Sequence, residues 1–246
     1  PVLQPEKLKN PEFIEALRSL KADLQIVVAF RMLPEVVWNM PPMGSVNLHG
    51  SLLPQYRGAA PINWAVINGE KETGVTSFKL KHEIDTGDIL LQQAFAISGE
   101  DNAGDVHDRM KAIGAEVLLQ TVKGLAAGSI HEIPQPTNAH IKHAPKISPE
   151  TGSIDFNKSI ADTYNLVRGL APAPAAHTLL EGKKLKVYKA EKLYQDPKGL
   201  PGSHETDGKT FLQFAASDGY IKIIDLQLEG KKRMLVEDFL RGYRFQ

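Results

Sequence analysis

Cysteine is absent from the 246 residues of this sequence. That excludes disulfides, thiol catalysis and zinc sites built on thiolates, and it fits a cytosolic protein. No apolar run approaches the roughly 20 residues that cross a bilayer as a helix. No secretory signal opens the chain. No glycine-rich loop ending in Lys-Ser or Lys-Thr is present, so nucleotide hydrolysis is not implied. Neither sign of charge is in excess, with 29 Lys+Arg against 29 Asp+Glu. Residues 1–150 lean slightly acidic and residues 151–246 slightly basic. That offset suits a nucleic-acid surface on the second half, and suits a plain solvated exterior equally well. What remains is ordinary globular material, 42% hydrophobic, enough for one or two domains.

The first half alternates strands and helices. Asn10 before Pro11 starts a helix, with Phe13, Ile14, Leu17 and Leu20 on one face. Residues 24–30 form a near-continuous apolar run that reads as a buried strand. Residues 46–49 are a second strand, 61–68 a short helix closed by Gly69, and 74–81 and 89–97 further strands. Asp101 or Asn102 caps a longer helix whose stripe is Val106, Met110, Ile113, Val117 and Leu118, ended by Gly128. This order predicts an α/β open sheet. Residues 134–149 are proline-rich and aperiodic, which predicts a linker. A helix follows at 159–170, stopped by Ala171-Pro172-Ala173-Pro174. Beyond it, Glu181-Gly182, Asp218-Gly219 and Glu229-Gly230 separate short alternating runs, which predicts hairpins closing into a small β-barrel. The expected domains are thus 1–134, a linker at 135–150, and 151–246.

The chemistry concentrates in Asn47-Leu48-His49-Gly50-Ser51-Leu52-Leu53-Pro54, followed by Arg57-Gly58-Ala59-Ala60-Pro61. In a strand, Asn47 and His49 point to the same face. An amide donor beside an imidazole at a strand's C-terminal end suits acyl or one-carbon transfer. Asp85-Thr86-Gly87-Asp88 supplies a carboxylate downstream. Arg57 is placed either to contact an anionic substrate group or to cap a helix end. His140-Ile141-Lys142-His143 has no carboxylate set beside it and reads as loop, so no metal is expected. Lys183, Lys184, Lys186 and Lys189 cluster around one hairpin, and Lys231, Lys232 and Arg233 form a second basic run. Both suit RNA phosphates, and alternation also fits an ordinary sheet wall.

These motifs resemble the folate-dependent formyltransferases. The resemblance covers essentially the whole chain and is most specific at residues 47–62 and 74–92. It implies a Rossmann-like, mostly parallel sheet followed by an OB-like barrel. It implies 10-formyltetrahydrofolate as co-substrate and the amino group of methionine on initiator tRNA as acceptor. Catalysis would fall to Asn47, His49 and Asp85, with the amide and the charged imidazole holding an oxyanion and Asp85 supporting the ring. Folate would lie between Phe30, Arg31, Met32 and Leu33, the segment Ser51, Leu52, Leu53 and Pro54, and the wall His82, Glu83 and Ile84. A hydrolase or a sugar-amine formyltransferase shares the motif, and a non-catalytic RNA-binding protein would use the barrel and keep the first domain as scaffold. The resemblance also implies that Pro1-Val2-Leu3-Gln4-Pro5 is an internal segment, with residues 2–4 as a strand. A preceding N-terminal piece would then be a partner covering the 24–30 strand, whose edge is otherwise exposed and whose half of the chain is otherwise poorly folded.

Overall fold

The computed structural model describes residues 2–28, 32–136 and 140–245. The chain forms two compact units. One comprises Pro1–Pro61, Thr73–Phe95 and Arg109–Ala144, the other Ile62–Glu72, Ala96–Asp108 and Pro145–Gln246. Among the described residues no helix is long and apolar enough to cross a membrane.

The elements follow in chain order: α1 (Pro11–Ser19), β1 (Gln25–Val28), α2 (Glu35–Trp38), β2 (Ser45–His49), β3 (Arg57–Gly58), α3 (Pro61–Ile67), β4 (Glu72–Lys79), β5 (Ile89–Ala96), α4 (Ala103–Ala126) and β6 (His143–Ala144). As the sequence predicts, the Asn10 carboxamide accepts from Glu12 N at 2.8 Å and starts α1. Asn102 is the residue that caps α4. Its Oδ1 accepts from Gly104 N at 2.7 Å, while Asp105 Oδ2 takes its backbone N–H at 2.9 Å, a reciprocal cap.

The main sheet of the first unit has the order β1-β2-β4-β5. It is mixed rather than mostly parallel. β1 and β2 are parallel, but β2 and β4 are antiparallel, with Asn47 opposite Phe78 and His49 opposite Thr76. The only helix between β2 and β4 is the seven-residue α3. β4 starts near the end where β2 stopped and runs back along it. β1 is shorter than its apolar run and is not buried on both faces. It is an edge strand with Ile26 and Val28 exposed, because among the described residues only β2 pairs with it. The strand expected at residues 2–4 does not form. No strand among the described residues lies alongside to pair its backbone groups.

Alternation gives the two sheet faces different work. Leu48 of β2 and Val75 and Ser77 of β4 meet α4. A Cβ on Gly114 would lie 2.9 Å from Leu48 Cδ2, and Ser77 Oγ bonds Thr121 Oγ1 at 2.7 Å. The opposite face presents Asn47, His49, Thr76 and Phe78.

The second unit carries α5 (Ile160–Leu170), β7 (Ala176–Leu180), β8 (Lys183–Leu193), β9 (His204–Thr206), β10 (Leu212–Ala215), β11 (Tyr220–Leu228), β12 (Met234–Leu235) and α6 (Val236–Gly242). Its strands run β7-β8-β11-β10-β9, with β12 on β11, and among the described residues each neighbouring pair is antiparallel. This is an open half-barrel, not the closed barrel expected. Closure is unnecessary because the β7 edge is already occupied. Ile154 N donates to His177 O, and His177 N donates to Gly152 O, each at 2.8 Å. α5 and α6 supply Ile160, Val167, Leu170, Phe239 and Leu240 to the core that the sheet encloses. Phe156 and Phe214 stack within that core at 5.2 Å.

Phe214 is 1% exposed. Phe214→Ala should remove about 3–5 kcal/mol from the stability of this unit, read as a lowered urea midpoint by circular dichroism. A loss below about 1 kcal/mol would show that this stack is not a structural centre.

Candidate active site

β2 delivers two polar side chains to one face at the point where its ladder ends. His49 is 6% exposed and lies edge-on to Phe78, with centroids 6.5 Å apart. Its Nε2 stands 2.9 Å from the Tyr56 carbonyl oxygen. A carbonyl only accepts, so Nε2 carries the proton. The other nitrogen, Nδ1, faces Asp85 Oδ2 at 3.7 Å. That is too long for a direct hydrogen bond and short enough for Coulomb attraction once the ring is charged. Asn47 sits two positions upstream on the same face, about 6–7 Å along the strand. Among the described residues nothing hydrogen-bonds its carboxamide, which leaves the donor for a ligand.

The loop after His49 is pinned to the same sheet face. Thr76 Oγ1 donates to Ser51 O at 2.6 Å and accepts from Leu53 N at 3.1 Å. Gln92 Nε2 donates to Leu53 O at 2.8 Å. Ser51 Oγ donates to Gln55 O at 2.6 Å. Tyr56 takes a left-handed φ of 58°, and its N–H donates to Lys142 O at 2.6 Å. Both sides of the residue that receives the His49 proton are therefore fixed.

Asp85 also has a left-handed φ, 55°. Its Oδ2 accepts from Gly58 N at 2.9 Å. The two glycines beside it are required. A Cβ on Gly87 would lie 1.5 Å from Lys79 O, and one on Gly58, at φ +126°, would lie 2.4 Å from Ala144 O. Gln135 grips the same loop from below. Its Nε2 donates to Asp85 O at 2.9 Å and Gly87 O at 2.8 Å. Its Oε1 accepts from Arg57 Nε at 3.2 Å and Nη2 at 2.5 Å. Reading the sequence misses Gln135 because it lies in the proline-rich stretch with no periodic signal. Only its pairing with Arg57 reveals it.

The remaining expected residues divide. Ser51 and Leu53 are buried; Leu53 packs with Phe78 and Ile89. Leu52 packs against Gly74, and Pro54 follows a cis bond. Met32 and Leu33 line an open cavity of about 890 Å³ with Lys7, Lys9, Ile14 and Val36. Phe30 and Arg31 lie outside the described residues. His82 is exposed, edge-on to Trp38 at 5.4 Å and 3.4 Å from Glu35 Oε2. Glu83 O accepts from Thr86 Oγ1 at 3.0 Å, and Ile84 is exposed. Arg57 is half-buried and gives its Nε and Nη2 hydrogens to Gln135 Oε1. Among the described residues no group of three His, Asp or Glu is arranged to hold a metal.

In the second unit, Lys183, Lys184 and Lys189 of β8 are exposed and Lys186 is half-buried. His177 of β7 pairs opposite Lys186. Burial, with help from the charges of Lys184 and Lys186, holds the His177 pKa below its ordinary value. Lys231 and Lys232 are exposed. Arg233 is committed differently. It makes a forked pair with Asp225 at 2.6–3.0 Å and lies 4.1 Å over the Tyr188 ring. The Asp225 hydrogen bonds raise its pKa further.

Because the Asp85 loop reaches β4 only where Gly87 lacks a side chain, Gly87→Ala should displace Asp85 from His49. A 1 Å misplacement of this kind in a catalytic group costs on the order of a hundredfold in rate, read as kcat at steady state. Unchanged kcat would refute this dependence.

A model described as formyl transferase matches residues 1–122, and one described as formyl transferase, C-terminal domain, matches residues 146–244. The methionyl-tRNA formyltransferase of Bacteroides fragilis is 52% identical over 251 residues, covering 99% of this chain and 78% of that protein. That of Parabacteroides distasonis is 53% identical over 253 residues, with the same shares. Among solved structures, HypX of Aquifex aeolicus in complex with tetrahydrofolic acid superposes with a TM-score of 0.70 at 21% identity, over 96% of this chain and 42% of that one. WlaRD, a sugar 3N-formyl transferase, superposes with a TM-score of 0.67 at 21% identity, over 88% and 77%. These structural likenesses bear on the fold alone. With both domain models matched, and about half its residues shared with curated relatives across nearly its entire length, the chain belongs to the formyl transferase family, among the methionyl-tRNA formyltransferases.

Proposed function

We propose that the chain transfers the formyl group of 10-formyltetrahydrofolate to the amino group of methionine on initiator tRNA, using Asn47, His49 and Asp85. The observation that carries this reading is the contact of His49 with Asp85 on the strand face that also presents Asn47. The amine nitrogen attacks the formyl carbon and a tetrahedral oxyanion forms. The bond from that carbon to N10 of the folate then breaks. The amine loses a proton and N10 gains one, so the products are formyl-methionyl-tRNA and tetrahydrofolate.

The geometry favours distinct parts for the three groups. Asn47 donates through its amide to the oxyanion. Nε2 of His49 is committed to Tyr56, so Nδ1 is the nitrogen that meets the reacting centre. At 3.7 Å, Asp85 supports positive charge on the ring without holding the Nδ1 proton in a direct hydrogen bond. Removing an oxyanion donor costs about 10²–10³ in kcat, and removing a proton carrier about 10²–10⁴. Asn47→Ala, His49→Ala and Asp85→Ala should fall in those ranges when folate donor and methionyl-tRNA are supplied together. Wild-type turnover in any of them would remove that residue from the scheme. Faster consumption of the donor with water alone, or with an amino sugar, would give the chain a different acceptor.

Folate is assigned to the Met32–Leu33 cavity and to the segments 51–54 and 82–84, supported by the apolar side chains in the cavity wall. The catalytic domain is taken as 1–134, the linker as 135–150 and the C-terminal domain as 151–246, near the limits of the two family matches. A cytoplasmic location is part of the same proposal, supported by the similarity to bacterial methionyl-tRNA formyltransferases.

The tRNA is assigned to the basic wall of Lys183, Lys184, Lys186 and Lys189, with Lys231 and Lys232 nearby. Each phosphate contact contributes about −0.9 to the slope of log affinity against log salt on a duplex. The pair Lys184→Ala and Lys186→Ala should raise KM for methionyl-tRNA, flatten its salt dependence and leave the folate KM unchanged. An unaltered salt slope would move the tRNA contact elsewhere.

A further inference from the structure

After α4 the chain returns beneath the site as a strap. Ile133 and Ile89 exchange backbone hydrogen bonds at 2.8 Å. Two residues on, Gln135 is 8% exposed and uses both ends of its carboxamide. Its amino group gives one hydrogen to Asp85 O and one to Gly87 O. Its oxygen takes both Arg57 contacts. Further along, Gln55 Nε2 donates to His140 O at 3.0 Å, Lys142 N donates to Gln55 Oε1 at 2.9 Å, and Lys142 O accepts from Tyr56 N. β6 then pairs with β3 in parallel.

We infer that Gln135 is a positioning residue, which sets the Asp85 carboxylate against His49 and couples that placement to Arg57. The inference rests on the catalytic assignment of Asp85 made above. Asp85 is held at two points. Gly58 N donates to its carboxylate, and Gln135 Nε2 donates to its carbonyl. An aspartate at φ 55° is in a sparsely populated conformation, and such a residue persists where its surroundings over-determine it. The carboxamide is the side chain the position requires, because it offers two donors to two carbonyls and an acceptor to a guanidinium. The Arg57 charge on the oxygen polarises the amide and strengthens its two donations. Arg57 therefore supports the Asp85 loop through Gln135.

Gln135→Glu separates this role from simple core filling. Glutamate keeps the volume and the pairing with Arg57, loses the two donors and sets a negative oxygen against the two carbonyls they served. Gln135→Leu removes both ends. In the full chain, both variants should lower kcat by about tenfold or more, with KM for methionyl-tRNA and for 10-formyltetrahydrofolate within about twofold of wild type. The decisive comparison is a double-mutant cycle with Asp85→Asn. Acting through Asp85, Gln135→Glu should change kcat by less than about twofold in the Asp85→Asn background. Losses that multiply, or a raised KM with unchanged kcat, would overturn the inference while leaving the catalytic assignment intact. Wild-type turnover in Asp85→Asn alone would overturn that assignment, and this inference with it.

Discussion

His49 Nε2 has one acceptor, the Tyr56 carbonyl, 2.9 Å away, and that contact settles which ring nitrogen is turned toward Asp85. The acceptor is itself the product of several constraints. Tyr56 adopts a left-handed conformation and is held by Lys142 through its own N–H. The loop leading to it is tied to β4 and β5 through Thr76 and Gln92. The imidazole is thereby oriented by backbone groups and by hydroxyl and amide side chains, with no charge needed to hold it. In a largely buried setting, each of these polar groups must find a partner, and the resulting network is stiff for that reason.

The second half of the site is built by close approach. The loop carrying Asp85 passes so near Lys79 O that only glycine fits at 87, and β6 passes so near β3 that only glycine fits at 58. These contacts let a carboxylate from one connection and an imidazole from another come within 3.7 Å. The faces of the sheet divide accordingly. α4 seals the side of Leu48, Val75 and Ser77, and the side of Asn47, His49, Thr76 and Phe78 is the one to which the proposed chemistry is assigned. Several residues of the surrounding motif serve this scaffold. Ser51 and Leu53 are buried beneath the loop, and Ser51 O, Leu53 N and Leu53 O are bonded to Thr76 and Gln92.

Local signals were legible where they are physically local. Asn10-Pro11 and Asn102 cap the helices they precede. Glu181-Gly182 joins β7 to β8 with both residues at positive φ, which a two-residue hairpin needs. Asn47 and His49 share a face because a strand alternates. What the pattern could not give depends on partners distant in sequence. The direction of β4 against β2, the exposure of β1 and the unclosed half-barrel follow from which strands and segments happen to be neighbours. Gln135 is the clearest case. It sits between prolines in an aperiodic stretch, and its partners lie 48 to 78 positions away. Arg233 is the reverse case. Its composition suggests a free cation, yet Asp225 and the Tyr188 ring occupy it.

The protonation pattern of the His49 ring tests the account most directly. Nitrogen-15 labelling of histidine, with long-range correlation of ring nitrogens to ring protons, reports which nitrogen carries hydrogen when the ring is neutral. The structure requires the Nε2–H form, with its proton directed at the Tyr56 carbonyl. A neutral ring protonated at Nδ1 instead would contradict the orientation on which the catalytic scheme stands.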